Sequence, residues 1–374
     1  MHAQSAPTEH GFFRHYAQSR AAFVQAAMDA GARHWQVAHP EPGLQGEALA
    51  MDFAWLGPAS AQRVLVSLSG THGIEGFAGS ACQRAWLATE APGHLPSDTA
   101  VLMVHAVNPW GFSWLRRVDA QNIDVNRNAL QAWRTPPTNS DYAQFHALLM
   151  QHAPTSAEAE KSFMQALQAW MAQWGVQRAT RAITGGQTTH PEGLFFGGHA
   201  PSWSVRHLSQ QVRVVLGQAR AIAVLDHHTG LGPRGHTEII CRHAPGSEAL
   251  ALARQWWGED TTATALGESS SEVLAGNVRM AFADWCPQAL VVAVALEVGT
   301  LPGEQVLQAL VADHVLHQFG QPRSAAAEAV RERMRLAFDP PDAAWRERCV
   351  SRSLALYSAT LSGLSGLAVS GDLP

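Results

Sequence analysis

The sequence lacks the features by which several classes of protein are recognised. Of its 26 basic residues only Lys161 is a lysine, and no basic block stands out, so nucleic acid is not an expected partner. No apolar run reaches the roughly 18 residues of a membrane span, so no membrane partner is expected either. The polar segment 1–13 contains no hydrophobic core of a signal peptide.

Cysteine is also scarce, and its spacing is uninformative for metal binding. The four cysteines lie far apart and form no C-x-x-C pair (Cys82, Cys241, Cys286 and Cys349). This spacing favours reduced thiols over a disulfide framework or a thiolate metal site. Together with the missing signal core, it predicts a cytoplasmic protein.

What the sequence does contain favours a large folded domain. Apolar residues make up 46% of the 374 residues, and the formal net charge is −5. Short apolar runs typical of buried strands alternate with helical patterns, which predicts a layered α/β fold in a single catalytic domain over 1–374. The predicted strands are 63–68, 100–107, 221–225 and 290–296, and the predicted helices are 14–36, 77–89, 204–218, 247–257 and 303–319.

Residues 136–182 depart from this alternation. They are rich in Gln, Ala and Trp, have a helical pattern and show no strand signal, so we predict a helical insertion there. Glycine pairs at 185–186 and 197–198 mark a long loop that could approach a site. The segment from Asp339 begins with Pro340 and Pro341, and a further helix is expected after them to about Thr360.

A candidate metal site follows the first predicted strand. The strand 63–68 runs into a glycine-rich turn that contains His72 and Glu75, an H-x-x-E spacing that lets both side chains reach one metal ion. Two adjacent histidines follow a later strand, and we favour His228 over His227 as a third ligand. Two His and one Glu with an open fourth position are typical of a catalytic zinc site. The alternative is that these are ordinary polar residues in loops.

Three arginines and an asparagine after the second strand indicate recognition of a carboxylate. Arg116, Arg117, Asn126 and Arg127 lie close together in sequence, and a guanidinium can bind a carboxylate through two parallel hydrogen bonds. Asp124 could instead accept a hydrogen bond from the free nitrogen of a histidine ligand. Taken alone, this segment would read as a surface turn.

Glu297 directly follows the wholly apolar run 290–296. Burying a carboxylate there is costly unless it has a role, so we interpret Glu297 as a general base that activates water. The alternative is a structural glutamate that pairs with an arginine.

In this order, the motifs T-H-G-I-E-G, N-P-W-G-F, R-R, D-V-N-R-N, D-H-H-T-G and L-E-V-G resemble the zinc carboxypeptidase superfamily. They are most similar to the branch that holds succinylglutamate desuccinylase and aspartoacylase, with its bacterial relatives of unknown function. The matching motifs span 71–299, about 60% of the chain. The resemblance implies a three-layer sandwich with a mixed, mostly parallel sheet of about eight strands.

The resemblance also implies a role for each matching residue. One zinc ion per chain would be bound by His72, Glu75 and His228, with Asp124 behind the first histidine. Glu297 matches the catalytic glutamate. One of Arg116 and Arg117, with Arg117 favoured, matches the arginine that polarises the scissile carbonyl, and Asn126 with Arg127 matches the pair that binds the substrate carboxylate.

Two departures from the peptide-cleaving carboxypeptidases bear on the substrate. Their mobile tyrosine has no counterpart at the expected place, since the tyrosines are Tyr16, Tyr142 and Tyr357. The L-E-V-G ending is similar to the deacylase form of the glutamate motif. Both favour a deacylase that hydrolyses small N-acyl amino acids. A metallocarboxypeptidase that acts on short peptides, and a pseudoenzyme that binds a carboxylated ligand, stay open as alternatives.

Two other enzyme classes are disfavoured by the sequence. Residues 230–235 match G-x-G-x-x-G after a strand, but Pro233 and the strand-like pattern of 237–240 argue against a nucleotide-binding oxidoreductase. No G-x-S-x-G motif is present, which argues against a serine hydrolase.

Overall fold

The computed structural model describes residues 11–152 and 156–367, so most of the polar N-terminal segment lies outside the described residues. Eight strands form one sheet. The strands are β1 (Arg33–Ala38), β2 (Ala50–Leu56), β3 (Arg63–Leu68), β4 (Thr99–His105), β5 (Ala221–Gly230), β6 (Thr237–Cys241), β7 (Thr262–Ala263) and β8 (Leu290–Gly299).

Twelve α-helices lie within the described residues. They are α1 (Tyr16–Asp29), α2 (Gly76–Leu87), α3 (Pro109–Trp114), α4 (Tyr142–Gln151), α5 (Ala157–Trp174), α6 (Val176–Thr184), α7 (Trp203–Val215), α8 (Glu248–Trp257), α9 (Phe282–Trp285), α10 (Gly303–Phe319), α11 (Ala327–Phe338) and α12 (Ala343–Ser365). None of these helices is long and apolar enough to cross a membrane.

The sheet is mixed, with a parallel centre. Its order is β1-β2-β4-β3-β5-β8-β6-β7. The four central strands β4, β3, β5 and β8 run parallel. β2 pairs antiparallel with both β1 and β4, and β6 pairs antiparallel with β8 but parallel with β7. The predicted α/β fold with a mostly parallel sheet of about eight strands is confirmed.

Helices cover both faces of the sheet, which gives three layers. Side chains alternate along β2, so Ala54 and Leu56 pack into one apolar layer while Met51, Phe53 and Trp55 pack into the other. Helices α1, α2, α8 and α12 supply the first layer, and α7 and α9 supply the second. Because the central strands are buried on both faces, they read in sequence as continuous apolar runs.

The antiparallel edge was not predicted. The predicted helix 14–36 is too long, because α1 ends at Asp29, the chain turns at Gly31 with φ of 76°, and β1 begins at Arg33. β1 is an edge strand with exposed and half-buried residues, so it lacks the apolar run of the central strands. The two histidines also lie inside β5 rather than after it, since β5 continues to Gly230.

The segment 136–182 is helical, as expected. Helices α4 and α5 and most of α6 fall within it, and they pack with α3, α10 and α11 into an apolar cluster. This cluster also contains Ile74 and Ala106, which follow the carboxyl ends of β3 and β4. That the segment is an insertion, and that the chain forms one domain, stay predictions. All four cysteines are buried and free.

A close backbone approach fixes the turn after β3. The N–H of Gly73 donates to the carbonyl of Arg117 (3.2 Å). A Cβ atom at Gly73 would overlap backbone atoms of Gly111 and Phe112 in α3. Only glycine therefore lets the turn that carries the candidate ligands lie against α3.

We expect Gly73→Ala to lower the free energy of unfolding by about 3 kcal/mol, because the added methyl group forces two backbones apart. Thermal or urea unfolding measures the change. Gly93→Ala is the matched control, since no atom lies within 4 Å of its added Cβ. Equal stability of the two variants would contradict the close approach.

Candidate metal centre

The parallel strands deliver the candidate site residues to one edge of the sheet. β3 leads through a short turn into a single 3-10 turn, Gly73–Glu75. His72 immediately precedes this turn, and Glu75 is its last residue. On the adjacent β5, His228 lies opposite Glu297 of β8 in the strand register. Ligands and active residues of open α/β sheets commonly lie at the carboxyl ends of their strands.

Three of these side chains bring their ligand atoms together. His72 Nδ1 lies 2.9 Å from Glu75 Oε1, His228 Nδ1 lies 2.8 Å from Glu75 Oε2, and the two Nδ1 atoms are 3.2 Å apart. All three side chains are buried and could hold a metal ion. Tetrahedral zinc with bonds of about 2.0–2.1 Å needs ligand atoms about 3.3 Å apart, so the donor set fits zinc.

A carboxylate lies behind each histidine. His72 Nε2 is 3.3 Å from Asp124 Oδ1, and His228 Nε2 is 2.8 Å from Asp226 Oδ2. The Thr71 hydroxyl donates to the other oxygen of Asp226 (2.7 Å). Such acceptors orient an imidazole, so that Nδ1 faces the metal position. Asp124 lies where the sequence predicts it, whereas Asp226 was missed although it begins the D-H-H motif.

The charges around the cluster favour a cation. Burial opposes protonation of His228, but the carboxylates of Asp226 and Glu75 outweigh it and raise the pKa of His228 to about 10. Burial alone would also raise the pKa of Glu75, yet the two histidines lower it below its usual range. The same field that holds a proton on His228 would stabilise a divalent ion among the three side chains.

His227 points away from this cluster. Its Nδ1 contacts the Leu68 carbonyl at 3.0 Å and its Nε2 contacts the Ser353 hydroxyl at 2.9 Å. Burial lowers the pKa of His227 to about 4. Because side chains alternate along a strand, only one of two adjacent histidines can face the site.

Glu297 is a half-buried carboxylate without an ion-pair partner among the described residues. Its Oε1 accepts a hydrogen bond from the Leu231 N–H (2.9 Å). Burial, followed by the negative charge of Glu75, raises the pKa of Glu297 to about 7. This environment does not match the alternative of a structural glutamate paired with an arginine.

The two adjacent arginines lie in different surroundings. Arg117 Nε donates to Asp124 Oδ2 (3.0 Å), and its Nη1 lies 3.6 Å from Glu75 Oε1. Arg116 Nε donates to Asp313 Oδ2 (2.9 Å) in a buried pair outside the cluster. The structure thus brings Arg117, and not Arg116, next to the candidate ligands.

Asn126 and Arg127 also face the site. Asn126 Oδ1 accepts from the Val278 N–H (3.0 Å), which leaves its amide nitrogen as the group available to a ligand. Arg127 is held by hydrogen bonds from Nε and Nη2 to the Thr184 carbonyl (3.2 and 2.7 Å). Burial lowers the pKa of Arg127 to about 10, so the side chain stays charged at neutral pH.

The glycine-marked loop does reach the site. Phe195 takes a positive φ of 55° and places its ring 5.2 Å from the Arg117 guanidinium and 5.8 Å from that of Arg127. Both distances are within the range of cation–π contacts. Gly197 allows this approach, because a Cβ there would lie 3.0 Å from the Arg127 carbonyl.

A cavity of about 590 Å³ is lined by the three candidate ligands together with Glu297, Arg117, Asn126, Arg127 and Phe195. Two arginines that no motif predicted also line it. Arg242 donates to the Glu272 carbonyl and the Ser271 hydroxyl (2.6 and 2.7 Å), whereas Arg279 makes no hydrogen bond or ion pair with any described residue. Burial lowers the pKa of both, to about 8 for Arg242. The buried guanidinium of Arg279, which has no hydrogen-bond or ion-pair partner among the described residues, favours an anionic ligand.

The chain was compared with protein families, curated proteins and solved structures. A model of the family described as "Protein of unknown function (DUF2817)" matches residues 12–352. No curated protein matches the sequence. The structure of bovine thrombin-activatable fibrinolysis inhibitor in complex with tick carboxypeptidase inhibitor is similar over 94% of this chain and 97% of that chain, with 10% identity and a TM-score of 0.52.

Two bacterial structures are also similar. A metallo-carboxypeptidase from Burkholderia cenocepacia aligns over 93% of this chain and 69% of its own, with 10% identity and a TM-score of 0.44. An aspartoacylase family protein from Mesorhizobium loti aligns over 77% and 66%, with 12% identity and a TM-score of 0.36. The bovine comparison confirms the predicted carboxypeptidase-like fold.

Metal content tests the ligand set. After dialysis against zinc and then metal-free buffer, we expect about one ion per chain in the unaltered protein and almost none in His228→Ala, because one of three donors is gone. Elemental analysis measures the ratio. His227→Gln should lose stability but keep its metal, since His227 bonds to Leu68 and Ser353 instead. Loss of metal from both variants alike would argue against this geometry.

Proposed function

The chain belongs to the DUF2817 family of proteins of unknown function, and from that premise we propose that it is a zinc-dependent hydrolase that cleaves an amide bond next to a carboxylate. Its substrate would be an N-acyl amino acid. The observation that carries this proposal is the meeting of His72, Glu75 and His228 beside Glu297, a half-buried carboxylate without an ion-pair partner among the described residues, in a cavity lined by arginines.

Glu297 would act as the general base. A catalytic base is most effective when its pKa lies near the working pH, and burial together with Glu75 brings the pKa of Glu297 to about 7. The Leu231 N–H holds one carboxylate oxygen in place. The other oxygen is thereby left to take a proton from water and later to pass it to the leaving nitrogen. A bound zinc ion would supply Lewis acidity and make that water more acidic.

The arginines would divide two tasks. Arg117, fixed by Asp124 and beside Glu75, would donate to the carbonyl oxygen of the scissile amide as negative charge develops there. Asn126 and Arg127 would bind the substrate carboxylate, for which a charged guanidinium and a free amide nitrogen are suitable donors. Phe195 restrains both arginines by packing its ring against them.

The positions of the tyrosines favour deacylation over peptide cleavage. None of the three lines the cavity. Tyr16 donates to the Ala50 carbonyl (2.9 Å), Tyr357 bonds to the Ser67 hydroxyl, and Tyr142 is buried against Phe145. No tyrosine hydroxyl is therefore available over the scissile bond. A cytoplasmic location forms part of the same proposal and rests on the reduced cysteines.

We expect Glu297→Gln to lower kcat by at least about a thousandfold, because the amide cannot take up a proton. Metal content should stay at the level of the unaltered protein, since Glu297 is not among the proposed ligands. Amino-acid release and elemental analysis measure the two quantities. Glu347→Gln is the matched control, because Glu347 is an exposed residue of α12 and does not line the cavity. A Glu297→Gln variant with full turnover would refute the assignment.

A panel of N-acyl amino acids and short peptides tests the reaction class. We expect a zinc chelator to abolish release of amino acids from the acyl compounds, while peptides with free C-termini are not cleaved. Chelator-sensitive release from peptide C-termini would identify a metallocarboxypeptidase. Binding of the carboxylated compounds without any release would identify a pseudoenzyme. Reconstitution with cobalt or manganese compares other divalent ions, which such ligand sets also accept.

A further inference from the structure

The cavity has a second, apolar half that the proposed chemistry does not use. Arginines and the candidate ligands line one half, whereas aliphatic side chains from α5, α6 and α10 line the other. The wall is formed by Met164, Leu167, Met171, Ile183, Leu307 and Leu310. A pocket of this size holds a ligand well beyond a single small amino acid.

The wall is part of the fold rather than a loose surface. Leu167 and Ile183 are 1% and 2% exposed. Two ion pairs hold α5 and α6 over the site, since Arg333 of α11 donates to Glu160 (3.0 Å) and Arg181 lies 3.3 Å from Glu272. The apolar surface is therefore present before a ligand arrives.

The mouth of the cavity is apolar too. Val176, the first residue of α6, is 65% exposed, and Leu231 is 38% exposed. Both line the cavity, and Leu231 also holds Glu297 through its N–H. Exposed aliphatic side chains that continue into a buried apolar wall mark the entry of an apolar group.

We propose that this half of the cavity binds the aliphatic acyl chain of an N-acyl amino acid, so that the substrate is an amphiphile with a chain of medium length. This inference rests on the proposed function and adds the substrate class. The carboxylate would lie at Asn126 and Arg127, the amide beside Arg117 and Glu297, and the chain along α5 and α10.

An acyl chain fits better than the other groups that the amide could carry. An acetyl group would leave the apolar wall without contacts, which forfeits the dispersion and transfer energy of that surface. An amino-acid side chain is limited in length, whereas an acyl chain can extend along the whole wall. Met164 and Met171 can adapt to chains of different length, because methionine side chains are flexible and polarisable.

Binding measured without turnover tests this inference. The zinc-loaded Glu297→Gln variant is titrated by calorimetry with N-acylalanines from acetyl to octanoyl. We expect Kd to fall about fourfold for each methylene until the wall is covered, as burial of a methylene group predicts. Affinities that stay within about twofold along the series would overturn the proposal. So would a gain from N-acetylleucine or N-acetylphenylalanine that exceeds the gain from longer acyl chains.

Variants that place a negative charge on the apolar wall test whether the acyl chain contacts it. Met171→Asp on α5 and Leu307→Asp on α10, each combined with Glu297→Gln, should bring the ratio of acetyl to octanoyl Kd close to one. Gln173→Asp, on an exposed position of α5, should keep the ratio. Circular dichroism checks that each variant is folded. A ratio that is equal in all three variants would show that the chain does not contact this wall.

Turnover by the unaltered protein separates the two proposals. If acetyl and octanoyl compounds are cleaved with equal kcat/KM and bound with equal Kd, the deacylase function stands and the acyl-chain site is wrong. If longer chains bind more tightly but no N-acyl amino acid is cleaved, the acyl-chain site stands and the proposed function is wrong.

Discussion

The parallel pairing of β3, β5 and β8 is the constraint on which the candidate site depends. The backbone register places His228 directly opposite Glu297, and Leu68 at the end of β3 opposite Asp226. Side chains alternate along a strand, so a slip of one residue would turn His227 toward the cavity and His228 away from it. The apolar layers on both faces of the sheet oppose such a slip, because it would also move every buried aliphatic side chain to the wrong face.

The second constraint is electrostatic. Removing a carboxylate from water is costly, and this edge of the sheet buries Glu75, Asp124 and Asp226 and half-buries Glu297 within a small volume. Asp124 is compensated by Arg117, and Asp226 by His228 and the Thr71 hydroxyl. No described residue forms an ion pair with Glu297, and burial together with the negative charge of Glu75 raises its pKa. Because these four carboxylates have different neighbours, their proposed roles can differ: Glu297 as the base, Glu75 as a metal ligand, and the two aspartates as acceptors that orient the histidines.

Much of this arrangement could be predicted from the sequence, because it depends on short motifs at the ends of apolar runs. The central strands and the grouping of His72, Glu75 and His228 followed from periodicity and position. Strand ends were less accessible to prediction, since β5 and β8 continue through polar residues that the apolar runs do not include. β1 was missed because an edge strand is only half buried and lacks the same apolar pattern.

Other site residues carried no local signal. Arg279 and Phe195 belong to no motif, and their approach to the site depends on how distant segments pack. The helical character of 136–182 was predictable from composition, but the surface that these helices cover was not. Strand geometry fixes the positions of the candidate ligands and the proposed base, whereas α5 and α6 form part of the wall of the cavity. The wall could therefore vary in sequence without moving the candidate ligands, which would let the same sheet edge serve different substrates.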